Sequence, residues 1–255
     1  IGGIQAALDL ANSGYYVYMV EKSPSIGGVM AQLDKTFPTN DCSMCIMSPK
    51  LVEVGRHMNI ELLTLSEIKE VTGEKGDFQV EVFQKARYVD MTKCIACGAC
   101  TEKCPVKVDD VYNEKLIKRK AIYALYPQAV PLKYCIDADK CLKLTKGKCG
   151  TCEKKCPAGA INYEDKDKTV TLNVGSIILS PGFKPYNPSG KYMYGYDNNP
   201  DVVTSIEFER LLSASGPNQG HIIRIHDIRH IQATQNRAGP REFQANHVVQ
   251  QLYEK

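Results

Sequence analysis

The sequence predicts an α/β chain interrupted by a compact, cysteine-dense α+β insert. Two observations carry this. The first 30 residues and a stretch near residue 180 read as pieces of a layered helix-and-strand domain, and a dense double run of cysteines stands between them. With 255 residues there is room for one large or two modest domains.

The opening reads as helix, turn, strand and loop. Ile4, Ala7, Leu8 and Ala11 recur at helical spacing, Gly14 is the expected stop, and residues 16–20 form a buried strand ending at Glu21. This is the back half of a Rossmann fingerprint. Gly3, with Gly2 before it, stands at the last glycine of G-x-G-x-x-G, where absence of a side chain lets helix and strand pack closely. Glu21 stands at the ribose-binding acid position. The first strand and first two glycines are missing, so the sequence is expected to begin after them. Glu21, Lys22, Gly27 and Gly28 resemble the extended FAD signature of two-domain flavoproteins. A buried strand over residues 174–182, ending at Gly182, resembles the one that closes the FAD domain in those enzymes. The unadorned alternative is an α/β helix and strand with no nucleotide.

Nine of the eleven cysteines fall between residues 94 and 156. A secreted disulfide scaffold would be shorter, and its count would usually be even. The first run is Cys94-x2-Cys97-x2-Cys100-x3-Cys104-Pro105, the spacing of bacterial ferredoxins. Two-residue gaps let three thiolates surround one cubane, and the fourth is carried away by the following turn. The second run, Cys141-x7-Cys149-x2-Cys152-x3-Cys156-Pro157, repeats it with a longer first gap. Because the fourth cysteine of each run serves the other cluster in two-cluster ferredoxins, one [4Fe–4S] cluster is assigned to Cys94, Cys97, Cys100 and Cys156. The other takes Cys104, Cys141, Cys149 and Cys152. Zinc is the rival, but three close cysteines plus a remote one fit its usual spacings poorly. Cys135 falls outside the repeat register and is expected to be a buried apolar residue. Between the runs, residues 116–125 could form a short helix or strand, with Pro127 and Pro131 breaking the chain; spacing is the only role the sequence assigns there.

The expected organisation is therefore residues 1–87 as the first part of an FAD domain, 88–165 as the inserted two-cluster module, 166–217 as the closing part, and 218–255 as an unassigned tail. The fold class is a Rossmann-like, thioredoxin-reductase-like FAD domain interrupted by a ferredoxin-like α+β module. A formal charge of +3 without a basic stripe does not point to nucleic acid. No apolar run approaches the 18 residues of a membrane span, and reduced iron-binding thiolates point to the cytoplasm. No nucleophile–histidine or paired-carboxylate arrangement stands out, so no catalytic acid or base is named, and the chemistry expected is electron movement.

Residues 37–45 (FPTNDCSMC), 49–56 (PKLVEVGR), the Gly27–Gly28 pair, the two cysteine runs, and residues 202–205 (VVTS) leading to 207–212 (EFERLL) together resemble the A subunit of heterodisulfide reductase, over about residues 1–217. The resemblance implies a fragment of an FAD and iron–sulfur component of a cytoplasmic complex in methanogenic archaea and related anaerobes. It implies the B and C subunits, a hydrogenase or formate dehydrogenase and ferredoxin as partners, and a homodimer within the larger complex. It implies flavin-based electron bifurcation toward the mixed disulfide of coenzymes M and B. A scaffold of the same kind in sulfur-metabolising organisms, or an electron-transfer module without its own flavin, are the alternatives. Glutamate synthase-type electron-input subunits would need a second G-x-G-x-x-G, which is absent. Cys42 and Cys45 read as a redox disulfide, as half of a further cluster site, or as two reduced cysteines by the flavin. The tail holds His221, His226, His230 and His247; His226 and His230 could share a helix face, with no carboxylate or cysteine to complete a metal site.

Overall fold

The computed structural model describes residues 1–221. Helix α1 (Gly2–Asn12) buries Ile4, Ala7, Leu8 and Ala11, the four residues whose spacing predicts it. The chain turns through Gly14 at φ +93°, a conformation that glycine alone enters without strain. Strand β1 (Val17–Glu21) follows. It is half-buried rather than buried, and Tyr16 lies outside it, exposed. The physical reason is that, among the described residues, β1 has a strand on one side only, β2 in a two-stranded parallel sheet.

Helix α2 (Ser43–Arg56) tolerates Pro49 in its interior and turns Met47, Leu51 and Val54 inward. It is the crossover to strand β2 (Ile60–Thr64), which runs parallel to β1 in the register Val17↔Ile60 to Glu21↔Thr64. A long hairpin comes next, β3 (Ser66–Glu74) and β4 (Asp77–Gln84). Its turn requires Gly73, because a Cβ there would sit 2.2 Å from the Asp77 carbonyl oxygen.

At Gln84 the chain leaves this sheet for the cysteine-rich segment. That segment contains α3 (Ala99–Glu102), β5 (Lys107–Asp109), β6 (Lys118–Lys120), β7 (Ile122–Tyr123), β8 (Cys135–Ile136), α4 (Leu142–Lys146) and α5 (Thr151–Lys155). β5 pairs with β6 and β7 with β8, both antiparallel. Val89, Ile122, Ile136 and Ala160 form its core together with Cys94, Cys100, Cys141 and Cys152. A disulfide-free core this small and sulfur-rich has little aliphatic volume to stabilise it. The two ends of the segment are tied together: the Asp165 carboxylate accepts the backbone N–H groups of Arg87 and Tyr88 at 3.0 and 3.1 Å.

Strand β9 (Lys168–Val174) then returns to the sheet left at Gln84 and pairs antiparallel with β4 from Gln84↔Lys168 to Phe78↔Val174. Val80, Val82 and Leu172 from this three-stranded sheet pack on Leu63 of β2. The buried strand expected over residues 174–182 is corrected here. Regular pairing ends at Val174; Ile178 and Leu179 are exposed, Leu179 by 80 %. Among the described residues no strand pairs with them, so the backbone has no ladder to join and these two side chains stay exposed.

The connection between the cysteine runs is more than a spacer, and its strands are the short pieces β6 and β7 rather than a helix. Tyr112, Tyr126 and Ala129 are buried in the core of α1 and α2. The Tyr112 hydroxyl donates to the Ala31 carbonyl at 2.7 Å, and its ring stacks on Tyr126 at 5.3 Å. Finally α6 (Ser205–Leu212) begins at a capping box formed by Thr204 and Glu207. Its Arg210, 1 % exposed, donates to Asn113 Oδ1 at 3.1 Å and to the Gln32 carbonyl at 3.0 Å and lies over the Tyr112 ring. His221 closes the described chain, its N–H donating to the Asn218 carbonyl. The readings of His226, His230 and His247, and of the tail past residue 221, fall outside the described residues.

Candidate iron–sulfur site

The two cysteine runs fold into matching loops. Gly98 (φ +84°) precedes α3, which carries Cys100, and Gly150 (φ +126°) precedes α5, which carries Cys152. The positive φ values turn each chain so that the cysteine before the glycine and the one after it face the same space. Ala96 (φ +58°) and Cys149 (φ +98°) are held in the same unusual region, which a non-glycine residue enters only when surrounding structure enforces it.

Two cavities result. Cys94, Cys97, Cys100 and Cys156 line one, with Val89, Tyr134, Ala160 and Ile161. Cys104, Cys141, Cys149 and Cys152 line the other, with Ile122, Ile136 and Tyr163. The grouping crosses the runs: the Cys-Pro cysteine of each run reaches the cavity of the other. Among the described residues no three His, Cys, Asp or Glu side chains converge as ligands of a single ion would. Thiols that ring a space suit a cubane, whose iron atoms sit between them, better than one zinc.

The electrostatics fit the same group. Burial pushes the Cys100 thiol up to about 12, with neighbouring Cys152, Cys94 and Cys156 adding to the rise. Burial also raises Cys152. Clustered thiols of this kind stay protonated unless a cation compensates their charge, and iron supplies that compensation. Hydrogen bonds from Thr151 and Gly150 lower exposed Cys149 instead. Two lysines reach the backbone of these cysteines: Lys133 Nζ donates to the Cys94 carbonyl and Lys120 Nζ to the Cys104 carbonyl, each at 2.6 Å. Cys135 lies apart, 2 % exposed, in the β7–β8 pair, its thiol donating to the Tyr123 carbonyl; burial pushes it up to about 11.

Spacing alone gives no sign of Lys120, Lys133 or Tyr163. They lie on the connection and on the exit segment, outside the repeated motif. The repeat places the cysteines, whereas these residues become neighbours only through the fold.

The predicted nucleotide contacts are more scattered. Gly3 packs against the return segment, since a Cβ there would lie 3.2 Å from Ser180 Cβ, two residues before Gly182 (φ +70°). Gly2, Gly28 and Gly182 face open space, with nothing within 4 Å of an added Cβ. Gly27 (φ +130°) is covered by Tyr126, whose hydroxyl donates to the Ile26 carbonyl. Glu21, at the carboxyl end of β1, accepts the Ser23 N–H at 2.8 Å through one oxygen. Lys22 is exposed and pairs with Glu67 at 3.4 Å. Bare backbone at Gly2 and Gly28 and an acid at the strand end are compatible with a dinucleotide near β1. The structure joins Cys42 and Cys45 as a disulfide at the start of α2, Cα atoms 5.2 Å apart. A thiol in that bond cannot ligate iron at the same time.

Residues 93–160 match a family model described as a 4Fe-4S dicluster domain. The chain is 46 % identical over 227 residues to the A subunit of the Methanothermobacter marburgensis H(2):CoB-CoM heterodisulfide,ferredoxin reductase, covering 89 % of this chain and 34 % of that protein. It is 49 % identical over 230 residues to the iron-sulfur A subunit of the Methanocaldococcus jannaschii CoB--CoM heterodisulfide reductase, covering 90 % and 34 %. An Archaeoglobus profundus protein named as similar to the heterodisulfide reductase A subunit is 48 % identical over 248 residues, covering 89 % and 35 %. The chain thus spans about a third of the length of these curated relatives. Over about nine-tenths of its own length it is a homologue of the heterodisulfide reductase A subunit.

Proposed function

We propose that this chain is the flavin and iron–sulfur electron-transfer part of a heterodisulfide reductase complex. The observation that carries the reading is the pair of four-cysteine cavities formed by ligands exchanged between the runs. Cys94, Cys97, Cys100 and Cys156 hold one [4Fe–4S] cluster, and Cys104, Cys141, Cys149 and Cys152 hold the second. Such clusters supply one-electron transfer over a wide range of potentials.

Gly2, Gly3, Glu21, Lys22, Gly27, Gly28 and Gly182 are the proposed FAD contacts, in a Rossmann-like domain whose two parts flank the insert. The protein's own part is to exclude water from the buried thiolates, to aim backbone and side-chain donors at sulfur, and to hold insert and flanking domain in fixed register. The names of the relatives support electron input from hydrogen or formate and delivery toward the CoB–CoM heterodisulfide and ferredoxin. The B and C subunits, a hydrogenase or formate dehydrogenase and ferredoxin are the proposed partners, with a homodimer in a cytoplasmic assembly. Among the described residues no helix is long and apolar enough to cross a membrane.

The test is iron, acid-labile sulfide and flavin per chain on anaerobically purified full-length protein, with EPR after reduction. About eight irons or more, one FAD and coupled reduced clusters are expected. Iron without flavin would leave a simple electron carrier, and zinc would leave a structural metal domain.

A further inference from the structure

The two cavities are alike in ligands but differ in what touches the sulfurs. In the second cavity the Tyr163 hydroxyl lies 2.9 Å from Cys152 Sγ, and the Thr151 hydroxyl lies 3.5 Å from Cys149 Sγ. In the first, among the described residues, the hydrogen bond to a ligand sulfur comes from backbone, Ala160 N–H to Cys156 Sγ at 3.3 Å. Tyr134 lines that first cavity as Tyr163 lines the second. Its hydroxyl lies 3.4 Å from the position of a Cβ added at Gly98 and interacts with the Thr101 side chain, and it forms no hydrogen bond to a sulfur.

Tyr163 is held in place from outside the cluster loops. Ile161 bridges to Val89, and the Asn162 N–H donates to the Tyr88 carbonyl at 3.0 Å. These bonds fix the backbone immediately before Tyr163, so the phenol is placed by the fold and not by the sulfur alone.

We infer that Tyr163 is a positioning residue that donates a hydrogen bond to the Cys152 sulfur and thereby raises the reduction potential of the cluster held by Cys104, Cys141, Cys149 and Cys152. The inference rests on the proposed two-cluster reading. A phenol O–H is a donor when its acceptor is a metal-bound thiolate, which has no proton of its own. Reduction by one electron adds negative charge that spreads over the sulfurs, so the donor stabilises the reduced state more than the oxidised one. No atom changes partners; the bond shifts an equilibrium, and it shifts it for one cluster of the pair.

The experiment compares the intact protein with Tyr163→Phe and Tyr134→Phe, counting iron and sulfide first and then titrating the clusters potentiometrically by EPR. Phe keeps the ring and removes only the hydroxyl. Tyr163→Phe is expected to keep its iron, lower the midpoint of one cluster and leave the other in place, while Tyr134→Phe moves neither. An exchangeable proton coupling, seen by electron–nuclear double resonance and lost in deuterium oxide, is expected in the parent and absent in Tyr163→Phe. Unchanged midpoints, equal shifts of both clusters, or a coupling that survives the substitution would overturn the inference while leaving the clusters. Loss of one cluster from Tyr163→Phe would overturn it in favour of a purely structural role. A parent protein lacking clusters would overturn the two-cluster reading itself, and the inference with it.

Discussion

Arg87 and Thr64 are joined across the boundary of the insert: the buried guanidinium donates to the threonine hydroxyl at 2.7 Å. The same nitrogen donates to the Pro24 carbonyl at 2.7 Å, while the other end of the fork reaches the Lys133 and Tyr134 carbonyls at 3.4 and 3.5 Å. No carboxylate among the described residues forms an ion pair with it. One side chain therefore holds β2, the loop after β1 and the cysteine module to each other, and these four acceptors are all neutral oxygens.

Replacing Arg87 with Met keeps the apolar stem and leaves buried oxygens without donors. The expected loss is about 3 kcal/mol of stability, from hydrogen bonds to a charged group and the desolvation of stranded acceptors. Chemical denaturation checks it. A loss below about 0.5 kcal/mol, the range of ordinary surface substitutions, would mean the clamp contributes little.

Gly27 sits at φ +130°, where an added Cβ would lie 2.6 Å from the Tyr126 hydroxyl. Gly27→Ala should destabilise by about 2 kcal/mol or more, combining left-handed strain with the clash. Tyr126→Phe removes the oxygen that is struck. The double variant should therefore be less destabilised than the two single losses added together, as a thermal-unfolding cycle would reveal. Simple additivity would place the whole effect in the backbone.

The crossed grouping of the cysteines makes a prediction that one cluster per run would not. Cys97→Ala and Cys156→Ala, 59 positions apart, should damage the same cluster and give the same residual EPR spectrum. Cys104→Ala should damage the other. Each should spare flavin, and Cys135→Ala should retain the full iron content. Two different residual spectra from Cys97→Ala and Cys156→Ala would break the exchanged assignment.

Cys42 and Cys45 are paired here, whereas nine cysteines carry free thiols. Protein purified without reductant, freed of iron and sulfide and unfolded, should titrate with nine thiols, rising to eleven after reduction. Eleven at the outset would mean that the pair is reduced, and free to act as cluster ligands.

Much of this is legible because it is periodic or local. The four inward residues of α1 lie on one helical face, and the cysteine runs repeat with one altered gap, so helix and cavities follow from spacing. Apolar composition predicts a buried strand over residues 174–182, yet Leu179 is exposed, because burial needs a neighbouring layer and no local pattern reveals whether one is present. Arg87 and Arg210 escape a sequence reading for the same reason. Both are hydrophilic residues that would ordinarily be assigned to the surface, and their acceptors lie far away in sequence. Tyr112 and Tyr126 fall in a stretch without periodicity, yet they enter the core of α1 and α2.

The pairing of β4 with β9 across the cysteine module bears on how the chain reaches its native state. Gln84 and Lys168 are adjacent in the ladder, but the whole module is synthesised between them. The sheet therefore cannot be completed on the ribosome until the module has emerged. Closing so long a loop from a disordered chain is entropically unfavourable, and a module that has already collapsed around its ligands brings its own ends together beforehand. Asp165, bonded to the N–H groups of Arg87 and Tyr88, is where that shortening is made. Iron supply to the growing chain would then govern the maturation of the flanking domain as well as that of the clusters.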